Sequence, residues 1–199
     1  ETVIVHSNDV HGAIAGYANI AALAAEYESQ GAKVIVADAG DFSQGKVEVS
    51  SNKGLNAVKM MNAAGYDVAT LGNHEFDWST EKIKTNAQLA NFPFLAIKVY
   101  DNATNKRVEY CQPSTVVQFG DAKVGIIGAI GDCYSSISSS MCSDVKFKVK
   151  SELTTLVKEE ANRLRAQGVD YIVYSLHDGG SANESMDWYD TVSYTHLTL

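Results

Sequence analysis

The chain has 199 residues, 45% hydrophobic and 20% charged, which suits one globular domain with a sizeable core. No apolar run approaches the ~18 residues of a membrane span, and the N-terminus enters a strand-like pattern at once, without the basic segment and apolar leader of a signal peptide. Sixteen basic against twenty-four acidic side chains give a net charge of −8, which argues against binding polymeric nucleic acid through its phosphates but leaves room for a small anion if metal ions supply the positive charge.

TVIVHS opens the chain as a β-branched strand. ANIAALAAEYESQ carries Ile20, Leu23, Ala24 and Tyr27 at helical spacing and stops at Gly31, and VIVAD is a second strand, which makes a βαβ unit. LNAVKMMNAAG is a second helix closed by Gly65, DVATL a third strand, and STEKIKTNAQLANF a third helix ended by Pro93. This alternation predicts a parallel sheet. Beyond Pro93 the pattern changes: FLAIKVY, RVEYCQ, STVVQF and KVGIIGAI read as close-set strands with DNATNK and GDAK as turns. SELTTLVKEEANRLRAQG then places Leu153, Leu156, Val157, Ala161 and Leu164 on one helix face, ends at Gly168, and leads into the strand DYIVYSL. The three cysteines, Cys111, Cys133 and Cys142, have neither zinc-site nor redox spacing; Cys133 and Cys142 flank YSSISSSM, where a loop disulfide in an exported protein and two reduced thiols are equally compatible with the sequence.

Polar residues gather where these strands end. The first delivers Asp9 and His11, which alternation along an extended chain would point the same way. The second ends in DAGDFSQG, where Asp41 sits among glycines that let the backbone approach a ligand. The third ends in Gly72-Asn73-His74-Glu75, and DYIVYSL ends in His177. The crevice beyond the carboxyl ends of strands is where open α/β sheets bind ligands. Taken singly, a D-x-H is usually a capped turn and a strand-end histidine usually structural; three of five histidines standing at strand ends beside oxygen donors is the observation with weight. His6, inside the first strand, reads as a core or sheet-face residue.

NDVHG, DAGDFSQG, LGNHEFDW and VYSLHDGG, in that order and at these distances, resemble the successive motifs of the N-terminal metallophosphoesterase domain of the 5′-nucleotidase family, which also contains cyclic-nucleotide phosphodiesterases and nucleotide-sugar hydrolases. The resemblance covers about residues 2 to 190. It implies an α/β fold, a four-layer α-β-β-α sandwich, and a dinuclear site for two divalent ions of the zinc, manganese, cobalt or iron type. Carried over by position, Asp9 and His11 would hold one ion, Asp41 would bridge both, and Asn73 with His177 would hold the second. His74 and Asp77 match the catalytic dyad, although spacing alone makes Asp77 equally a cap for the helix that starts near Ser79. The implied activity is phosphoester hydrolysis on nucleotides, outside the cytoplasm (extracellular, periplasmic or cell-surface), with a C-terminal substrate-binding domain in the parent protein.

The sequence also departs from that family. Members complete both metal sites with a Gly-His-Xaa-His or related segment some tens of residues after the position of His177, and none is present here. Residues 1–191 are therefore expected to be a partial domain and 192–199 an anomalous tail, with His196 a poor substitute ligand. The alternative is a metal- or phosphate-binding fragment without turnover, or a same-fold relative with another task, such as capsule biosynthesis or thiosulfate-ester hydrolysis.

Overall fold

Short apolar runs alternating with helices build the first sheet. The computed structural model, which describes residues 1–178, forms β1 at Thr2–Ser7, α1 at Ala15–Ser29, β2 at Lys33–Asp38, a one-turn α2 at Val47–Ser50, α3 at Leu55–Ala64, β3 at Val68–Thr70, α4 at Thr80–Leu89 and β4 at Phe94–Leu95. The four strands pair in parallel in the order β1-β2-β3-β4, with His6 opposite Ala37, Ala37 opposite Val68 and Ala69 opposite Phe94. After its first residue β2 is buried throughout, and so is β3, as expected for parallel strands covered on both faces.

The remainder contributes β5 (Val99–Asp101), β6 (Ser114–Phe119), β7 (Ala122–Ile130), β8 (Val145–Phe147), α5 (Lys150–Ala166) and β9 (Tyr171–His177). The hairpin β6–β7 is antiparallel, and β9 returns parallel to β7, because α5 carries the chain back across the sheet. Ile35, Ala37, Val68 and Leu95 from the first sheet meet Val124 and Ile126 from the second. On the far side of the first sheet Tyr17, Ala24, Val58, Met61 and Ile83 of the helices bury against Val5, Val34, Val36 and Ala69. On the far side of the second, Leu153, Val157, Ala161 and Leu164 of α5 cover Ile127, Ala129 and Ile172. The layers are helix, sheet, sheet, helix.

Several expectations need correction. RVEYCQ is not a strand: Val108 and Cys111 are both buried, and residues three apart cannot share a face of an extended chain, so the segment turns and keeps only isolated bridges from Arg107 to Tyr100 and from Gln112 to Leu95. FLAIKVY divides into β4 and β5, which belong to different sheets, and β5 pairs antiparallel with the unforeseen β8. In α1 the buried face holds Tyr17 and Ala24 with Ile20 beside them, whereas Leu23 and Tyr27 are exposed. The third predicted helix, α4, stops at Leu89, before Pro93. His6 is exposed on edge strand β1, a sheet-face residue and not a core one. The expected boundary at residue 191, the tail after it and His196 lie outside the described residues.

One polar group in the outer helix layer is a stability element. Glu160 of α5 is 4% exposed, accepts from Ser114 Oγ at 2.5 Å, and takes two bonds from Arg163, at 2.5 and 3.0 Å. Burial raises the Glu160 carboxyl, but Arg163 and Ser114 outweigh it and hold it below the ordinary glutamate value. A carboxyl depressed on folding contributes stability above its unfolded pKa and loses it as pH falls through the folded one. Glu160→Ala is therefore expected to cost about 1–2 kcal/mol at pH 7, the low end because Arg163 remains solvated. In urea titrations its gap from wild type should narrow as pH falls below the ordinary glutamate value and through the lower folded one.

Candidate active site

Each candidate residue lies at or just past the carboxyl end of a strand: Asp9 and His11 after β1, Asp41 after β2, Asn73, His74 and Asp77 after β3, and His177 as the last residue of β9. The first six follow strands of one sheet and the seventh ends a strand of the other, so the stacking of the two sheets brings the set together. The local route differs from the sequence expectation. Asp9 and His11 do not alternate along an extended chain; they have φ of 52° and 45°, and Asp41 has φ of 61°. Three non-glycine residues in the left-handed region within one cluster are costly, by about 1–3 kcal/mol each, and such strain concentrates where function requires a particular geometry.

The donor atoms converge on Asp41, which is 3% exposed. Its Oδ1 accepts from the His74 N–H at 2.9 Å, leaving Oδ2 to lie 3.1 Å from His177 Nε2 and 3.8 Å from His11 Nε2. His11 Nε2 is also 3.5 Å from Asp9 Oδ1, while its Nδ1 is 3.2 Å from the carbonyl and the side-chain oxygen of Gln44. His177 donates from Nδ1 to Ala39 O at 2.9 Å, which presents Nε2 to Asp41 Oδ2 and to Asn73 Oδ1, each 3.1 Å away. The Asn73 amide is oriented in turn: its Nδ2 donates to Ser136 Oγ at 3.1 Å, and Ser136 donates its own hydrogen to Cys133 O.

Two groups of carboxylate and imidazole donors lie within 4.8 Å of one another among the described residues, Asp9–Asp41–His177 and His11–Asp41–His74, and Asp41 belongs to both. Oxygen and imidazole donors without thiolate suit borderline or hard divalent cations. Burial acts against a charged His177, yet its bond to Asp41 and the charges of Asp41 and Glu75 push it up to about 9. His177 Nε2, Asp41 Oδ2 and Asn73 Oδ1 thus face one another at a position where a divalent cation could bind in exchange for a proton.

Beside this cluster, His74 Nδ1 and Asp77 Oδ2 are 2.7 Å apart. Asp77 thus binds the imidazole, and helix α4, with Ser79 at its N-cap, has no side-chain cap. Burial lowers the His74 pKa, while Asp77 and Asp41 raise it and prevail. Its ring meets His11 edge-on, with centroids 5.2 Å apart. All three thiols are free: Cys133 Sγ contacts His177 O at 3.3 Å and Cys142 Sγ contacts Ser138 O at 3.4 Å.

Glu75 and Lys98 are buried charged residues beside the site to which the sequence reading gave no role. Glu75, 3% exposed, accepts from the N–H groups of Asp41, Phe42, Ser43 and Gly72 at 2.7–3.0 Å. Burial and the Asp41 charge push its carboxyl up, against the pull of the Asp41, Ser43 and Gly72 amides. The available signal was hydrogen-bond accounting: in DAGDFSQG the Gly40 amide is met by Asp38 within the turn, but the next three amides are not, and they require a buried acceptor from elsewhere. Lys98, fully buried, donates to Gly131 O at 2.7 Å and lies 4.0 Å from the Tyr134 ring centroid, and burial brings it down to about 8.

A two-sheet sandwich with such a donor cluster at the carboxyl ends of its strands is the plan of the metallophosphoesterases. Residues 2–139 match the calcineurin-like phosphoesterase model, and the chain belongs to that family. It is 32% identical over 200 residues to a snake venom 5′-nucleotidase of Gloydius brevicauda, covering 90% of this chain and 33% of that protein. It is 30% identical over 201 residues to a 5′-nucleotidase of Bos taurus, covering 90% and 34%. The solved NAD nucleotidase of Haemophilus influenzae has the same fold, with a TM-score of 0.76 at 23% identity over 92% of this chain and 35% of its own. The chain spans about a third of the length of the curated relatives it matches. Among the described residues no helix is long and apolar enough to cross a membrane.

Proposed function

We propose that this chain carries most of the catalytic domain of a dinuclear, metal-dependent phosphoester hydrolase that acts on nucleotides. The observation that supports it most is the Asp41 carboxylate: one oxygen is anchored by the His74 N–H and the other is shared between His11 and His177. In this reading Asp9, His11 and Asp41 hold one cation, and Asp41, Asn73 and His177 hold the other. When bound, such a pair supplies Lewis acidity at a phosphoryl group and an acidified water for in-line attack.

The chain's own residues account for the rest. Asp77 accepts from His74 Nδ1, which fixes the tautomer and leaves Nε2 to donate toward the phosphoryl or leaving-group oxygen. The strained backbone at Asp9, His11 and Asp41 holds their donors in place before substrate arrives. A nucleotide substrate fits the 5′-nucleotidase relatives, and export from the cytoplasm fits the one from venom. A further domain that grips the nucleoside is proposed for the full-length protein.

The test is a phosphate-release assay on the full-length protein with a 5′-nucleotide and a generic aryl phosphate. Chelation should abolish turnover of both, and manganese, cobalt or zinc should restore it. Full activity after exhaustive chelation would refute the reading.

A further inference from the structure

We infer that Glu75 is a positioning residue that sets the bridging geometry of Asp41 through a reciprocal clasp between the two loops. The inference rests on the metal-site reading above. The turn after β2 and the turn after β3 exchange hydrogen bonds in both directions: the Asp41 carboxylate accepts from the His74 N–H at 2.9 Å, and the Glu75 carboxylate accepts from the Asp41 N–H at 2.9 Å. Each oxygen of Glu75 takes two donors. Oε1 accepts from Phe42 and Ser43, at 2.9 and 3.0 Å, and Oε2 from Asp41 and Gly72, at 2.9 and 2.7 Å.

This arrangement offsets a specific cost. Asp41 stands at φ 61°, and left alone it would relax from the left-handed region. Three successive N–H groups of that turn, from Asp41, Phe42 and Ser43, are drawn onto one buried carboxylate that Gly72 N–H ties to its own loop, and these bonds hold the turn there. Gly72 lets the loops meet, since a Cβ at that position would overlap the Asp41 carboxylate. With Oδ1 and the main chain both pinned, Oδ2 is left between His11 and His177. Glu75 touches neither imidazole through any hydrogen bond in the described structure; it acts through Asp41.

Glu75→Gln tests this because size is kept while one oxygen becomes an NH2, which must face one of the two N–H pairs. We expect the full-length variant to retain its circular dichroism spectrum, to bind Mn2+ about 10- to 100-fold more weakly, and to lose the exchange-coupled electron paramagnetic resonance signal of a bridged Mn2+ pair. Ser114→Ala, remote from the site, controls for a merely structural effect: it should lower the melting temperature and leave the coupled signal unchanged. If Glu75→Gln does not fold, Glu75→Asp, which keeps the charge but reaches fewer donors, should show intermediate affinity and weakened coupling. Wild-type affinity and coupling in a folded Glu75 variant would overturn the inference alone. A wild-type protein that binds no Mn2+ would overturn the metal reading and the inference with it.

Discussion

Asp41→Ala in the full-length protein is expected to lose both cations and with them at least about 10³-fold of the hydrolytic rate, equivalent to roughly 4 kcal/mol of transition-state stabilisation. The size follows from geometry. Asp41 is the member common to both donor groups, so its removal leaves each without its central carboxylate. The remaining donors cannot compensate, because His177 Nε2 and His11 Nε2 approach one another only by way of Asp41 Oδ2, at 3.1 and 3.8 Å. Mutating a residue that only supports a ligand typically costs 10- to 100-fold in metal affinity, and loss of a shared ligand exceeds that for two ions at once. Elemental analysis after gel filtration is the direct readout. Retention of one tightly bound ion per chain would show that a single site stands without the bridge.

His74→Ala is expected to behave in the opposite way: metal content near wild type, with kcat down by about 10²–10⁴. Its Nδ1 is engaged by Asp77 at 2.7 Å, and its main-chain N–H, which the substitution preserves, is what anchors Asp41. The variant therefore removes a donor aimed at substrate and spares the cluster. Asp77→Asn should follow it with a smaller loss, since the ring remains but its orientation is no longer enforced. His74 also falls within reach of His11 and Asp41, so a rival role as ligand has a distinct signature. Metal loss in His74→Ala matching that of Asp41→Ala would assign it to the cluster.

The contrast between these two variants could be framed from sequence because NDVHG, DAGDFSQG, LGNHEFDW and VYSLHDGG resemble the family's motifs and stand at the ends of recognisable strands. β-Branched runs such as TVIVHS and DYIVYSL form β1 and β9 at nearly the expected bounds, and the helical spacing of Leu153, Val157, Ala161 and Leu164 marks the face that α5 buries. Local propensity and burial agree in these segments, so period alone identifies them. It fails where pairing is decided at long range. The three-residue strand β8 exists because Val145–Phe147 finds β5, and FLAIKVY breaks because its two halves are taken by different sheets.

What the sequence determined by itself is the chemistry available at the site: carboxylates, imidazoles and an amide after three parallel strands and one returning strand, without thiolate. Only the tertiary structure decided how they are held. Asp9 and His11 converge through left-handed turns and not through strand alternation, because the packed loop supplies the hydrogen bonds that make a positive φ tolerable. His177 reaches Asp41 across 136 residues of chain because the two sheets stack face to face, a consequence of buried surfaces too far apart in sequence to appear in any local pattern. Glu75 stands in the LGNHEFDW motif, but nothing local to it says that its carboxylate turns inward and not to solvent. Its importance comes from the four amides that the folded turns direct at it, and an amide without a partner in the interior is a cost that only the complete fold can reveal.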